Sequence, residues 1–143
     1  MVDDLESLRR GGRIPGSVAY AGSKLDVKPL LTIDCEGKLT LSGVARGRKK
    51  GIKQLVDYYE KRVASKSPGQ CVVIAHSDCP KDAERLKDML SKVDDSILFL
   101  ESFIGPVIGS HVGPGMIAVV FWGYDQREEM SVADKIARRV KGN

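Results

Sequence analysis

The sequence predicts an α/β (α+β) domain in which helices flank a mixed sheet. Three observations predict it. Two strand-like runs, KPLLTID and KLTLSGVA, are separated by a turn that contains Gly37, which reads as a hairpin. Short apolar runs then alternate with segments of helical period, the pattern of strands covered by helices. At 143 residues, 42% hydrophobic and 29% charged, the chain has the size and composition of one ordinary domain that buries a single core.

Taken in order, the chain opens with DDLESLRR, a short charged helix whose apolar stripe is Leu5 and Leu8. Gly11 and Gly12 break it, and a small-residue segment leads to the hairpin. From Gly47 to about Ser65, Ile52, Leu55, Val56, Tyr59 and Val63 recur at i, i+3, i+4, i+7 and i+11. That spacing predicts an amphipathic helix with its cations outward. QCVVIAHS is a continuous apolar run, hence a buried strand. DCPKDAERLKDMLSKV predicts a helix with Pro80 in its first turn, Asp82 and Glu84 at its positive end, and a stripe of Ala83, Leu86, Leu90 and Val93. SILFLESF is the next strand. MIAVVFWG, apolar on both faces, is expected to be the last and central one. SVADKIARRVKG predicts a closing helix, with Ser131 and Asp134 resembling a capping box.

Between the last two strands lies IGPVIGSHVGPG, residues 104–115. Gly105, Gly109 and Gly113 are four apart, which nearly stacks them on one helix face. Pro106 suits a first turn, and Pro114 with Gly115 ends the helix. Each interior glycine costs about 1 kcal/mol relative to alanine. Close packing of another backbone, or close approach of a ligand, offsets that cost. Ser110 and His111 add a hydroxyl and an imidazole, both able to donate to a carboxylate or phosphate; a lone histidine also serves structural roles.

The net charge is +4 but unevenly spread. Residues 46–66 hold eight cations against Asp57 and Glu60, a local +6 that leaves −2 for the remainder. Arg46, Arg48, Lys49 and Lys50 crowd a helix N-terminus, where positive charge opposes the macrodipole. A basic docking surface explains that cost, and arginine forks suit carboxylates and phosphates. An anionic-surface or nucleic-acid binder using 46–66 is the alternative; against it, Tyr58 and Tyr59 lie on or beside the buried stripe.

Cys35, Cys71 and Cys79, odd in number and irregularly spaced, argue against a disulfide framework and fit a reducing cytosol. His76 and Cys79 form an H-x2-C pair that falls short of four zinc ligands, so no metal is expected. No apolar run reaches the ~20 residues of a membrane helix, and the charged N-terminus is not a secretory signal. No nucleophile–base pair, P-loop or paired carboxylates are visible, so the expectation is a binding protein and not an enzyme.

VKPLLTID, the hairpin, VARGRKKGIKQLV and IGPVIGSHVGPG before an apolar strand, in this order, resemble the C-terminal domain of the DegV family. DDLESLRRGGRI is similar to the family's stretch leading into that domain. The resemblance runs from about residue 3 to 123. It implies a mixed, largely antiparallel sheet flanked by helices, and a bacterial, cytoplasmic fatty-acid-binding protein serving phospholipid metabolism, with no cofactor beyond the bound long-chain fatty acid. It further implies that the carboxylate is presented to a separate fatty acid kinase for acyl-phosphate formation. Carried over residue by residue, the resemblance implies that His111, Ser110 and Arg46 hold the carboxylate, with Arg46 and Arg48 interchangeable between ligand and kinase at this point. Gly109, Gly113 and Gly115 allow close ligand or backbone approach, and Arg48, Lys49 and Lys50 face the kinase.

On this reading residues 1–27 are a lead-in from a first domain, 28–123 the lipid-binding domain, and 124–143 an additional helix. Family members are about twice as long, so the chain is expected to be a fragment or separate half that displays half a site. The exposed apolar surface where the first domain sits is a route to a homodimer.

Overall fold

The computed structural model describes residues 1–3, 5–12, 14, 25–33, 36, 37, 39–64 and 69–123. The expected closing helix lies outside the described residues, as does Cys35. The described elements are α1 (Leu5–Arg10), β1 (Val27–Ile33), β2 (Leu39–Arg46), α2 (Arg48–Arg62), β3 (Cys71–His76), α3 (Pro80–Val93), β4 (Leu98–Phe103), α4 (Pro106–Val112) and β5 (Ile117–Val120). The hairpin, the two amphipathic helices, the strands and the short glycine-bounded helix are thus all present, within about three residues of the expected ends.

The fold is mixed α+β, but the strands form two sheets and not one. β1 and β2 pair antiparallel as a separate hairpin. β4, β3 and β5 form the second sheet in that order, with β3–β4 parallel and β3–β5 antiparallel. The expectation that the last strand is central is therefore corrected: β3 is central, and β5 lies at the edge of its sheet. The physical reason is that both faces of β5 are apolar, but among the described residues helices cover only one. Ile117 is fully buried and Val119 and Phe121 pack on the core, whereas Val120 and Trp122 are exposed.

The main core lies between one face of the three-stranded sheet and the stripes of α2 and α3. Val72, Ile74 and Ile117 meet Ile52, Leu55, Val56 and Tyr59 from α2 and Ala83, Leu86 and Leu90 from α3. The opposite face of the same sheet presents Leu98, Leu100 and Val120 outward. A second, smaller core joins α1 to α4: Val2, Leu5, Leu8 and Val112 are buried together, with Ile14, Leu31, Ile104 and Met116 against them.

Residues 1–2 stitch the two sheets together. Met1 N donates to Ile117 O at 2.8 Å, Ile117 N donates back to Met1 O at 3.0 Å, and Val2 N donates to Pro29 O at 3.0 Å. The Met1 thioether occupies the space beside Gly51, inside α2, where a β-carbon would stand.

Candidate functional site

The C-terminal end of β3 carries the site. His76 O accepts from Ile104 N at 2.9 Å, Ser77 N donates to Met116 O at 2.9 Å, and Ser77 O accepts from Gly115 N at 2.6 Å. The whole 104–116 excursion thus leaves from and returns to His76–Ser77. His76 itself is buried, and its Nδ1 accepts from Cys79 N at 3.3 Å. Its Nε2 lies 3.5 Å from Glu101 Oε1, and Phe103 packs edge-on at 5.0 Å. His76 thus caps the end of its strand. Cys79 Sγ donates to Met116 O at 3.3 Å, and burial pushes its thiol above the ordinary value although Arg48 opposes this. No group of three potential metal ligands occurs among the described residues.

α4 spans Pro106–Val112, with Pro106 in its first turn as the sequence predicts. Gly113 closes it with φ 71°, its N–H donating to Gly109 O at 2.9 Å. Val112 anchors the helix on α1. The other side is open: no described residue comes within 4 Å of a β-carbon built at Gly105 or Gly109. Close backbone packing, the bland explanation of the glycine spacing, is therefore not met at these two positions by the described residues. Beside them Phe103 and Val107 are 78% and 76% exposed, and Ile108 is exposed as well. Ser110 is exposed, its Oγ donating to Val107 O at 2.8 Å within the helix. His111 is half-buried, with its ring against Gly11 at the end of α1.

The RGRKK cations divide into two groups. Arg46, the last residue of β2 opposite Val27, is exposed, as are Lys49 and Lys50 in the first turn of α2. Arg48 turns inward. Its Nε donates to Asp82 Oδ2 at 2.5 Å and its Nη1 to Gly115 O at 2.7 Å, with Asp3 Oδ1 2.9 Å away. Lys28 extends the network, lying 3.0 Å from Asp3 Oδ1 and 3.1 Å from Asp26 Oδ1. Burial opposes the Arg48 charge, but the hydrogen bonds and charges of Asp82 and Asp3 outweigh it and hold the group above its ordinary value. Arg48 therefore answers the helix-dipole cost of a cation at the start of α2 with two carboxylates from elsewhere in the fold.

The structure thus joins Arg48 to Gly115, and His111 to Gly11. Among the described residues no hydrogen bond or ion pair links Arg46 to α4. Asp3 and Gly11 are the residues that sequence reasoning missed as parts of the site. Gly115 has φ 80°, and a β-carbon there would stand 2.9 Å from Asp3 Cβ and 3.4 Å from Arg48 Nη1. The atoms that a β-carbon at Gly115 would meet belong to the side chains of Asp3 and Arg48.

This arrangement has known relatives. The family model described as "Uncharacterised protein, DegV family" matches residues 1–123. A DegV domain-containing protein of Clostridium perfringens is 44% identical over 122 residues, covering 85% of this chain and 42% of its own length. The crystal structure of DegV from Bacillus subtilis, described as a fatty-acid-binding protein, superposes with a TM-score of 0.63 at 34% identity, over 83% of this chain and 42% of that one. A DegV family protein from Eubacterium eligens, loaded with heptadecanoic acid, shares the fold with a TM-score of 0.68 at 23% identity, over 82% and 42%. The chain therefore spans less than half the length of these relatives. With residues 1–123 matched by the family model, and with Gly11 set against His111 and Arg48 bonded to Gly115, the chain belongs to the DegV family.

Proposed function

We propose that this chain supplies the carboxylate end of a fatty-acid-binding site, with His111 and Ser110 as carboxylate donors and Arg46 as a nearby cation. The observation that carries the reading is the open side of α4. No described residue packs on Gly105 or Gly109 there, and exposed Phe103, Val107 and Ile108 lie next to a hydroxyl and an imidazole. An apolar lip with a few polar groups at one end is what a fatty acid requires. Burying about 16 carbons at ~0.8 kcal/mol per CH2 gives roughly 12 kcal/mol before costs. A charge-assisted contact adds only ~1.5–3 kcal/mol. The alkyl chain therefore supplies affinity, and His111 and Ser110 supply orientation.

The exposed cations Arg46, Lys49 and Lys50 form the surface on which a fatty acid kinase docks to receive the carboxylate. Arg48 supports that surface from within, through Asp3 and Asp82. Tyr58 and Tyr59 pack edge-on against Phe121 at 6.2 and 4.9 Å, which favours a protein partner over stacked bases for this basic helix.

The test uses the protein expressed from its natural gene with any adjoining sequence. Organic extraction followed by mass spectrometry is expected to release a long-chain fatty acid near one per protein; a protein purified repeatedly without lipid, and unable to take any up, counts against the reading. His111→Ala is expected to weaken fatty-acid retention roughly tenfold or more, the loss of one charge-assisted contact. Retention equal to the parent's removes His111 from the site.

A further inference from the structure

The two glycines that end α1 differ in what they require. Gly12 has φ 68°, and a β-carbon built there meets nothing within 4 Å. Its need for glycine is a need of the backbone. Gly11 is the reverse. Its φ lies outside the left-handed region, so an L-residue fits its backbone, yet a β-carbon there would stand 2.7 Å from Nδ1 and 3.4 Å from Cγ of His111. Ser7 O, 3.3 Å away, hems in the same point.

We infer that Gly11 is a positioning residue for His111: the side chain it lacks is the seat of the imidazole. Neither helix can yield easily to make room. α1 is fixed by buried Leu5 and Leu8, and α4 by Val112, the residue next to His111. A methyl group at position 11 therefore displaces the imidazole rather than the backbone. The pairing joins residues 100 positions apart in the sequence, so the first glycine of GGRI and the histidine of GPVIGSH act as one unit. The consequence for ligand binding rests on the reading that His111 meets the carboxylate; the placement of the ring does not.

The chain has only His76 and His111, which makes their imidazole resonances directly assignable. In Gly11→Ala, the His111 Cε1–Hε1 signal is expected to move well beyond its linewidth. Buried His76 stays in place, and Tm falls little. In Gly12→Ala, Tm is expected to fall by a few degrees while the His111 signal stays. Fatty-acid retention, measured on the same variants, is expected to fall several-fold in Gly11→Ala and to be kept in folded Gly12→Ala. An unmoved His111 signal in Gly11→Ala overturns the inference, as does an equal displacement in Gly12→Ala. A moved signal with unchanged retention upholds the seat and instead counts against the carboxylate reading.

Discussion

Gly115→Ala is expected to destabilise the chain by about 2–4 kcal/mol, read as a lower denaturant midpoint at unchanged slope. Two effects combine. Residue 115 has φ 80°, where a β-carbon is strained by about 1 kcal/mol or more. That β-carbon would also press on Asp3 Cβ at 2.9 Å, and it is a backbone-borne atom with no flexible end to bend away. Relief requires Asp3 to withdraw, which opens its 2.9 Å pair with Arg48 and its 3.0 Å pair with Lys28. Gly37→Ala, strained by a similar φ of 78° but with open space around it, is expected to cost only the backbone part. Equal losses at the two positions would show that the Asp3 contact contributes nothing.

Arg48→Ala is the second large effect, expected at about 2–3 kcal/mol. The guanidinium serves Asp82 Oδ2, Gly115 O and Asp3 Oδ1 together. Removing it leaves the Asp82 carboxylate and the Gly115 carbonyl without this donor, and leaves Asp3 with Lys28 as its cation. Stripping one partner from a fully buried pair costs ~3–5 kcal/mol; Asp82 and Asp3 keep some access to water, which lowers the figure here. Arg48→Lys is expected to recover only part of the loss, since one ammonium cannot reproduce the fork toward acceptors on three segments. Because Gly115 and Arg48 act through the same Asp3 carboxylate, the double variant is expected to lose less than the two single losses combined. Strict additivity would mean that the two residues act independently.

This network also marks where sequence reading stops. The pattern of apolar residues places the two long helices and the strands, and glycine spacing with Pro106 places α4, because such local patterns survive in the sequence whatever the tertiary contacts. Position within the sheet does not survive in the same way. MIAVVFWG is apolar on both faces and reads as central, yet among the described residues helices cover only the Ile117 and Val119 face; Val120 lies on the other face with Leu98 and Leu100. An apolar residue shows that its surface favours burial, not that the described part of the chain buries it.

The basic segment illustrates the same limit for charge. Arg46 to Lys50 look alike in sequence, and the cost of cations at a helix start is legible. What singles out Arg48 is a carboxylate 34 residues away and a carbonyl 67 residues away. Likewise GGRI and GPVIGSH-x-GPG are each legible as motifs, whereas the fit of the His111 ring against Gly11 exists only once α1 and α4 share a core. The glycines of α4 carried the opposite lesson. Their spacing suggested close approach of a backbone or a ligand, and among the described residues no backbone approaches Gly105 or Gly109.

That open side of α4 is the centre of the functional account, and a structure of the protein from its natural gene, loaded with a C16 fatty acid, tests it most directly. The account predicts a carboxylate oxygen at hydrogen-bond distance, about 2.6–3.2 Å, from an imidazole nitrogen of His111 or the hydroxyl of Ser110, with the first carbons of the chain over Gly105 or Gly109. A carboxylate bound away from α4, with His111 still resting on Gly11 and touching no ligand, would contradict it.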